Sequence, residues 1–126
     1  MMEDIDTRGR FDTALPDGER EFRVEKISRK EKGETVFYIW QVSFDGEGGE
    51  REVGEQVFLP NMMGDLLRIL GCEETAPKRF KWDKETLPGA YFIATVSHFP
   101  DKKKPEIIRQ DMSNFKKGKN TDDIPF

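Results

Sequence analysis

Cysteine and histidine are each down to one residue in this chain, Cys72 and His98. A lone thiol cannot form an internal disulfide and suits a reducing, cytoplasmic setting. One thiol and one imidazole would need an unusual carboxylate-rich set to hold zinc, so no metal is expected. Walker A loops, histidine pairs and G-x-S-x-G elbows are all missing, and the carboxylates are scattered through turns and ends. Neither catalysis nor a cofactor is expected, and a binding protein is the better class. No apolar run approaches the roughly 18 residues of a membrane span. The acidic opening MMEDIDTRGR lacks the apolar stretch of a secretory signal, so no membrane partner is expected.

What is plentiful is charge. Charged residues make up 37% of the 126 and apolar ones 35%, with a formal net charge of −4. That length suits one domain with a core of its own. The negative balance is confined to the ends. Residues 1–18 carry five acids against Arg8 and Arg10, and residues 119–126 carry Asp122 and Asp123 against Lys119, which leaves 18 acids and 18 bases between them. The bases of this neutral body are bunched. KISRKEK holds Lys26, Arg29, Lys30 and Lys32; DKKKP holds Lys102, Lys103 and Lys104; FKKGK holds Lys116, Lys117 and Lys119. Such clusters can form a cationic groove whatever the net charge.

Periodicity predicts five strands and one helix. EFRVEKISRK (21–30) reads as a strand, Phe22 and Val24 alternating before a break near Lys26–Ile27. TVFYIWQVSF (35–44) is the strongest strand, dense in β-branched and aromatic residues, and REVGEQVFLP (51–60) is the third. In NMMGDLLRILG the period changes: Met62, Met63, Leu66, Leu67 and Leu70 follow helical spacing, with Asn61 as N-cap and Gly71 as stop. Residues 72–88 read as a loop pinned by Phe80 and Trp82. GAYFIATVSHF (89–99) and IIRQDMSNF (107–115) are the last two strands. His98 falls on the inward parity of the fourth strand with Phe92, Ala94 and Val96, where a structural role is expected.

Three strands, a helix and two strands is the element order of the OB-fold, a five-stranded, partly open Greek-key barrel. The expected organisation is an acidic segment 1–18, an OB-fold domain 19–115 and a tail 116–126. OB-folds hold single-stranded nucleic acid on strands two and three, between the loops joining strands one to two and four to five. Both loops are basic here: RKEKGE and PDKKKPE. On the second strand the unbroken apolar even face, Val36 to Phe44, is expected to fill the barrel, which leaves Phe37 and Ile39 outward. On the third, Val53, Val57 and Leu59 are expected inward, with Gln56 and Phe58 outward. The expected single-stranded DNA contacts are therefore Lys26, Arg29, Lys30, Lys32, Phe37, Ile39, Arg51, Gln56, Phe58, Lys102, Lys103 and Lys104, with Phe37 and Phe58 as a stacking platform. A one-residue change of register would put Tyr38 and Trp40 there instead.

The chain ends NTDDIPF. Phe126 offers a ring and an α-carboxylate on one residue, which an apolar pocket rimmed by Arg or Lys could hold. Pro125 restricts the backbone, and Asp122 and Asp123 favour encounter with a basic rim. DDIPF resembles the C-terminal tip of bacterial single-stranded DNA-binding proteins. The body, in LPDGEREFRVEKI, the short helix and GAYFIATVSHF, looks more like phage-encoded single-stranded DNA-binding proteins over most of residues 15–115. The resemblance implies a protein that protects single-stranded DNA during replication, recombination or repair, in the host cytoplasm if phage-encoded. It gives Asp122, Asp123, Ile124, Pro125 and Phe126 the role of docking partner proteins of those processes. The bacterial proteins place a long Gly/Pro/Gln-rich linker before the tip, whereas here only about eleven residues follow Phe115, a reach of roughly 17–20 Å. The competing class is an OB-like adaptor that recruits such enzymes without binding DNA. Oligomeric state is not legible, and a homo-oligomer stays open.

Overall fold

The computed structural model describes residues 14–118. Along them run β1 (Gly18–Lys32), β2 (Thr35–Asp45), β3 (Arg51–Phe58), a 3₁₀ turn (Pro60–Met62), α1 (Gly64–Ile69), β4 (Glu73–Ala76), β5 (Arg79–Lys81), β6 (Tyr91–Pro100) and β7 (Ile108–Lys117). Five strands form one antiparallel sheet in the order β3-β2-β1-β6-β7, and β4 and β5 form a separate hairpin. The mostly β architecture with one short α-helix agrees with the sequence pattern. Among the described residues no backbone ladder joins β3 to β7, so the sheet stays open as a hydrogen-bonded structure.

β1 serves two neighbours because it bends. Its register against β2 shifts between Val24 and Lys26, leaving Glu25 as the extra residue of a bulge. Phe22 and Val24 point inward before the bulge and Ile27 after it, all buried. This is the break that the sequence places near Lys26–Ile27. Lys26, Ser28 and Lys30 are thereby turned outward. On β2 the even face points inward as expected, with Trp40, Val42 and Phe44 buried.

β3 is turned over relative to expectation. Val53, Val57 and Leu59 are 50%, 51% and 41% exposed, whereas Gln56 and Phe58 are 3% and 1% exposed. The register pairs Trp40 with Gln56 and Tyr38 with Phe58, and directly opposed residues share a face. A phenylalanine ring takes more apolar surface out of water than a valine does, so this register is favoured if Gln56 finds partners. Phe58 meets Trp40 edge-on at 5.8 Å.

The partners of Gln56 come from β7 and from β3 itself. Gln110 Nε2 donates to Gln56 Oε1 at 2.7 Å and to the Glu55 carbonyl at 2.8 Å, while Gln56 Nε2 donates to the Val57 carbonyl at 3.0 Å. Gln110 Oε1 accepts the Leu15 N–H at 2.8 Å. His98 completes the group, joining Asp17 through Nδ1 at 2.5 Å and Gln110 through Nε2 at 3.1 Å. Side chains thus fasten the β3–β7 seam that the backbone leaves open, and His98 has the structural use expected of it. Leu15 is buried in the core and Gly118 is buried at the far end, so the packed body reaches beyond 19–115. A Cβ on Gly118 would lie 2.6 Å from the Tyr91 carbonyl carbon, so only glycine fits there.

Two local expectations change. Asn61 falls in the 3₁₀ turn and Met63 is the N-cap of α1, with no side-chain cap bond, because Pro60 opens that tighter turn first. Gly71 is the stop: at φ 87° it takes the left-handed conformation, and the Cys72 N–H reaches the Leu67 carbonyl at 3.0 Å. The stretch read as a loop contains the β4–β5 hairpin, whose alternation is too brief to register as strands. Its aromatics pin it as expected. Trp82 stacks on Trp40 at 6.3 Å and meets Tyr38 edge-on at 5.2 Å, and Phe80 lies under the Arg68 guanidinium at 5.5 Å.

Candidate nucleic-acid interface

The outer face of β1, β2 and β3 is ordered in rows by the two registers. Lys30 lies opposite Phe37; Ser28 opposite Ile39, which faces Val57; Lys26 opposite Gln41, which faces Glu55. Read the other way, the β1 column is cationic and polar, and the β2 and β3 columns are mainly apolar. Phe37, Ile39, Gln41 and Glu55 are half-buried, whereas Lys26, Lys30 and Val57 are exposed. Exposed Leu59 follows just past the end of β3.

The lysines and arginines are in different states. Lys26, Lys30 and Lys32 make no ion pair among the described residues. They are carried on a hairpin closed by the two-residue turn Gly33–Glu34, so they project from paired strands. Arg29, on the opposite parity, is 3.4 Å from Glu31. Arg51 is bound to Asp45 at 2.8 Å, and its Nε donates to Ser43 Oγ at 3.2 Å. Ser43 in turn donates to Glu25 at 2.5 Å, and Arg23 donates to the same carboxylate at 2.7 Å. Burial works to raise the Glu25 pKa, but hydrogen bonds from Ser43 and Arg23 and the charges of Arg23 and Arg51 outweigh it and hold it below the ordinary value. Arg51 therefore belongs to a closed polar cluster on this face.

The β6–β7 loop is built around one carboxylate. Asp101 accepts the backbone N–H groups of Lys103 and Lys104 at 2.8 and 3.1 Å and Arg109 Nε at 2.5 Å. The Arg109 hydrogen bond, then those two N–H groups, hold its pKa below the ordinary value. Lys102, Lys103 and Lys104 are exposed on this scaffold without an ion pair among the described residues. The loop leads into β7 two residues before Gln110, which touches Glu55 and Gln56. Its base is thus held beside β3.

Of the expected contacts, Lys26, Lys30, Phe37 and Ile39 share one face, with Lys32 at its hairpin end and Lys102 to Lys104 on the scaffolded loop. Gln56 and Phe58 are corrected: both are buried, and neither can stack or hydrogen-bond a ligand on this face. Asp122, Asp123, Ile124, Pro125 and Phe126 lie outside the described residues. The expected contacts did not include Ser28, Gln41, Val57, Glu55 or Asp101. Once the bulge at Glu25 is allowed for, parity alone brings Ser28 outward. The turned-over β3 could not be read that way, because its cause lies 54 residues away at Gln110. Among the described residues no group of three or more His, Cys, Asp or Glu could hold a metal, and no helix is long and apolar enough to cross a membrane. No protein-family model matches the chain, and a search of curated proteins finds no match either.

Proposed function

We propose that this protein binds single-stranded DNA with little sequence preference, on the outer face of β1–β3. One observation carries the reading: an unpaired lysine column on β1 runs beside an apolar strip of Phe37, Ile39 and Val57. Phosphates would lie over Lys26 and Lys30 while bases rest on Phe37 and its neighbours, the division of labour that single-strand binders use. The β1–β2 hairpin and the Asp101-scaffolded loop supply the flanking charge. The strand order, the helix after the third strand and the side-chain seam between β3 and β7 support an OB-type barrel as the framework. The resemblance of DDIPF to a partner-docking tip supports a further role for Asp122–Phe126, the recruitment of replication, recombination and repair proteins.

The burial of Phe58 leaves Phe37 as the one aromatic ring in these rows. That favours modest affinity, and it gives weight to the adaptor reading, in which DNA is not bound. Fluorescence-anisotropy titration with dT oligomers of increasing length, at two salt concentrations, separates the two. Binding should weaken with salt, log K against log salt falling by about 0.7 per phosphate neutralised. An oligomer left unbound by micromolar protein at low salt, or a preference for duplex, rejects the single-strand reading.

A further inference from the structure

Gln41 and Glu55 face each other across β2 and β3, half-buried, and neither side chain has a partner among the described residues. The contrast with Gln56 and Gln110, which satisfy one another across the seam, is direct. A carboxylate on a face that holds phosphates repels them, and sequence-independent binding gains nothing from it. Resting on the single-strand reading, and adding one base preference to its otherwise low selectivity, we propose that Gln41 and Glu55 read the Watson–Crick edge of one guanine in the bound strand.

The argument is one of donors and acceptors. Unstacked bases in single strands are read along that edge. Guanine presents N1–H and N2–H side by side, and the two oxygens of a carboxylate can accept both together. Its O6 lies next to them, within reach of the amide NH₂ of a residue beside the carboxylate. Cytosine and adenine offer one amine flanked by an acceptor nitrogen, and thymine offers one N–H between two carbonyls. Each of these leaves one carboxylate oxygen facing a lone pair. Directly opposed cross-strand residues hold their Cβ atoms about 4.5–5.5 Å apart, which lets an amide and a carboxylate address a single base edge. Glu55 is held at the sheet edge by the Gln110 side chain on its carbonyl, at 2.8 Å. Lys26, opposite Gln41 on the other side, sets a cation where the phosphate would lie when the base points toward β3.

The test compares oligo(dT) of about 15 nucleotides, a length that spans one such domain, with the same oligomer carrying one central dG or one central deoxyinosine, which lacks the N2 amine. Anisotropy titrations use the full chain and its Glu55→Gln and Gln41→Ala variants, each checked by a melting curve. The dG oligomer should bind about tenfold more tightly than oligo(dT), with deoxyinosine between them. Glu55→Gln should abolish the difference and bind oligo(dT) more tightly, because a repelling charge is gone. Gln41→Ala should reduce the preference. Equal binding of dG and dT oligomers by the unaltered chain, or a preference that survives Glu55→Gln, overturns the guanine assignment. Failure to bind any of the three overturns the single-strand reading itself.

Discussion

The two faces of the β2–β3 ribbon are built from similar residues to opposite ends. Inside, Trp40, Val42 and Phe58 are fully packed, and Gln56 is hydrogen-bonded through Gln110 and its own strand; the Trp40 indole N–H is buried without a partner among the described residues. Outside, Ile39 and Val57 meet across the strands with one side open, and Gln41, Glu55 and Lys26 keep unused hydrogen-bonding capacity. Saturated contacts hold a fold together, and unsaturated ones are available to a ligand. Substitutions on the inner face should therefore register in stability, and those on the outer face in binding.

The largest effects belong inside. Trp40→Ala and Phe58→Ala should each cost about 3–5 kcal/mol in denaturant unfolding, and DNA binding should fall only with the folded fraction. If Phe58→Ala unfolds like the unaltered chain yet loses DNA, the register of β3 is wrong. Gln110→Ala comes next, at about 1–3 kcal/mol, because it strands the Gln56 amide oxygen, the Glu55 carbonyl and the Leu15 N–H. Replacing Gln56 and Gln110 together by leucine should cost less than their separate replacements combined, which a double-mutant cycle would read. Outside, Phe37→Ala should leave the melting curve unchanged and weaken binding by about 1–3 kcal/mol. Lys30→Ala and Lys103→Ala should each flatten the salt dependence by about 0.7 in log–log slope.

The smallest effect is set by pH. Asp101 has a folded pKa below its ordinary value, so its contribution is fully present above the unfolded pKa near 3.8 and is lost as pH falls through the folded value. Glu25, also lowered, behaves the same way from about 4.5 downward. Melting temperature should hold from neutral pH to about 5 and then decline. The decline should be shallower in Asp101→Asn, and an unchanged slope would remove Asp101 from the explanation.

What could be read from the sequence follows the range of the interactions. The core face of β2 was legible because large alternating side chains settle it locally, and the β1 bulge was legible as the offset from Val24 to Ile27. β3 was not. Its odd face carries Val53, Val57 and Leu59 around the single carboxylate of Glu55, and nothing within it tells that Gln56 will be satisfied from β7. Half of the expected stacking platform was lost with that strand, because Phe58 lies inside. The lysines were visible as clusters, but the scaffold presenting three of them depends on Asp101 meeting Arg109 across the loop.

The Gln110 group also bears on how the chain reaches and leaves its folded state. It joins Leu15 to a residue 95 positions away, and Glu55 and Gln56 to one 55 and 54 positions away. Contacts across such long loops bear a large closure entropy and form after the local hairpins that shorten the path. The seam should therefore be absent from the folding transition state. Gln110→Ala should leave the refolding limb of a chevron nearly where it was and raise the unfolding limb, so that the loss appears as faster opening. A side-chain clasp that closes last and opens first makes the lifetime of the native molecule depend on one amide.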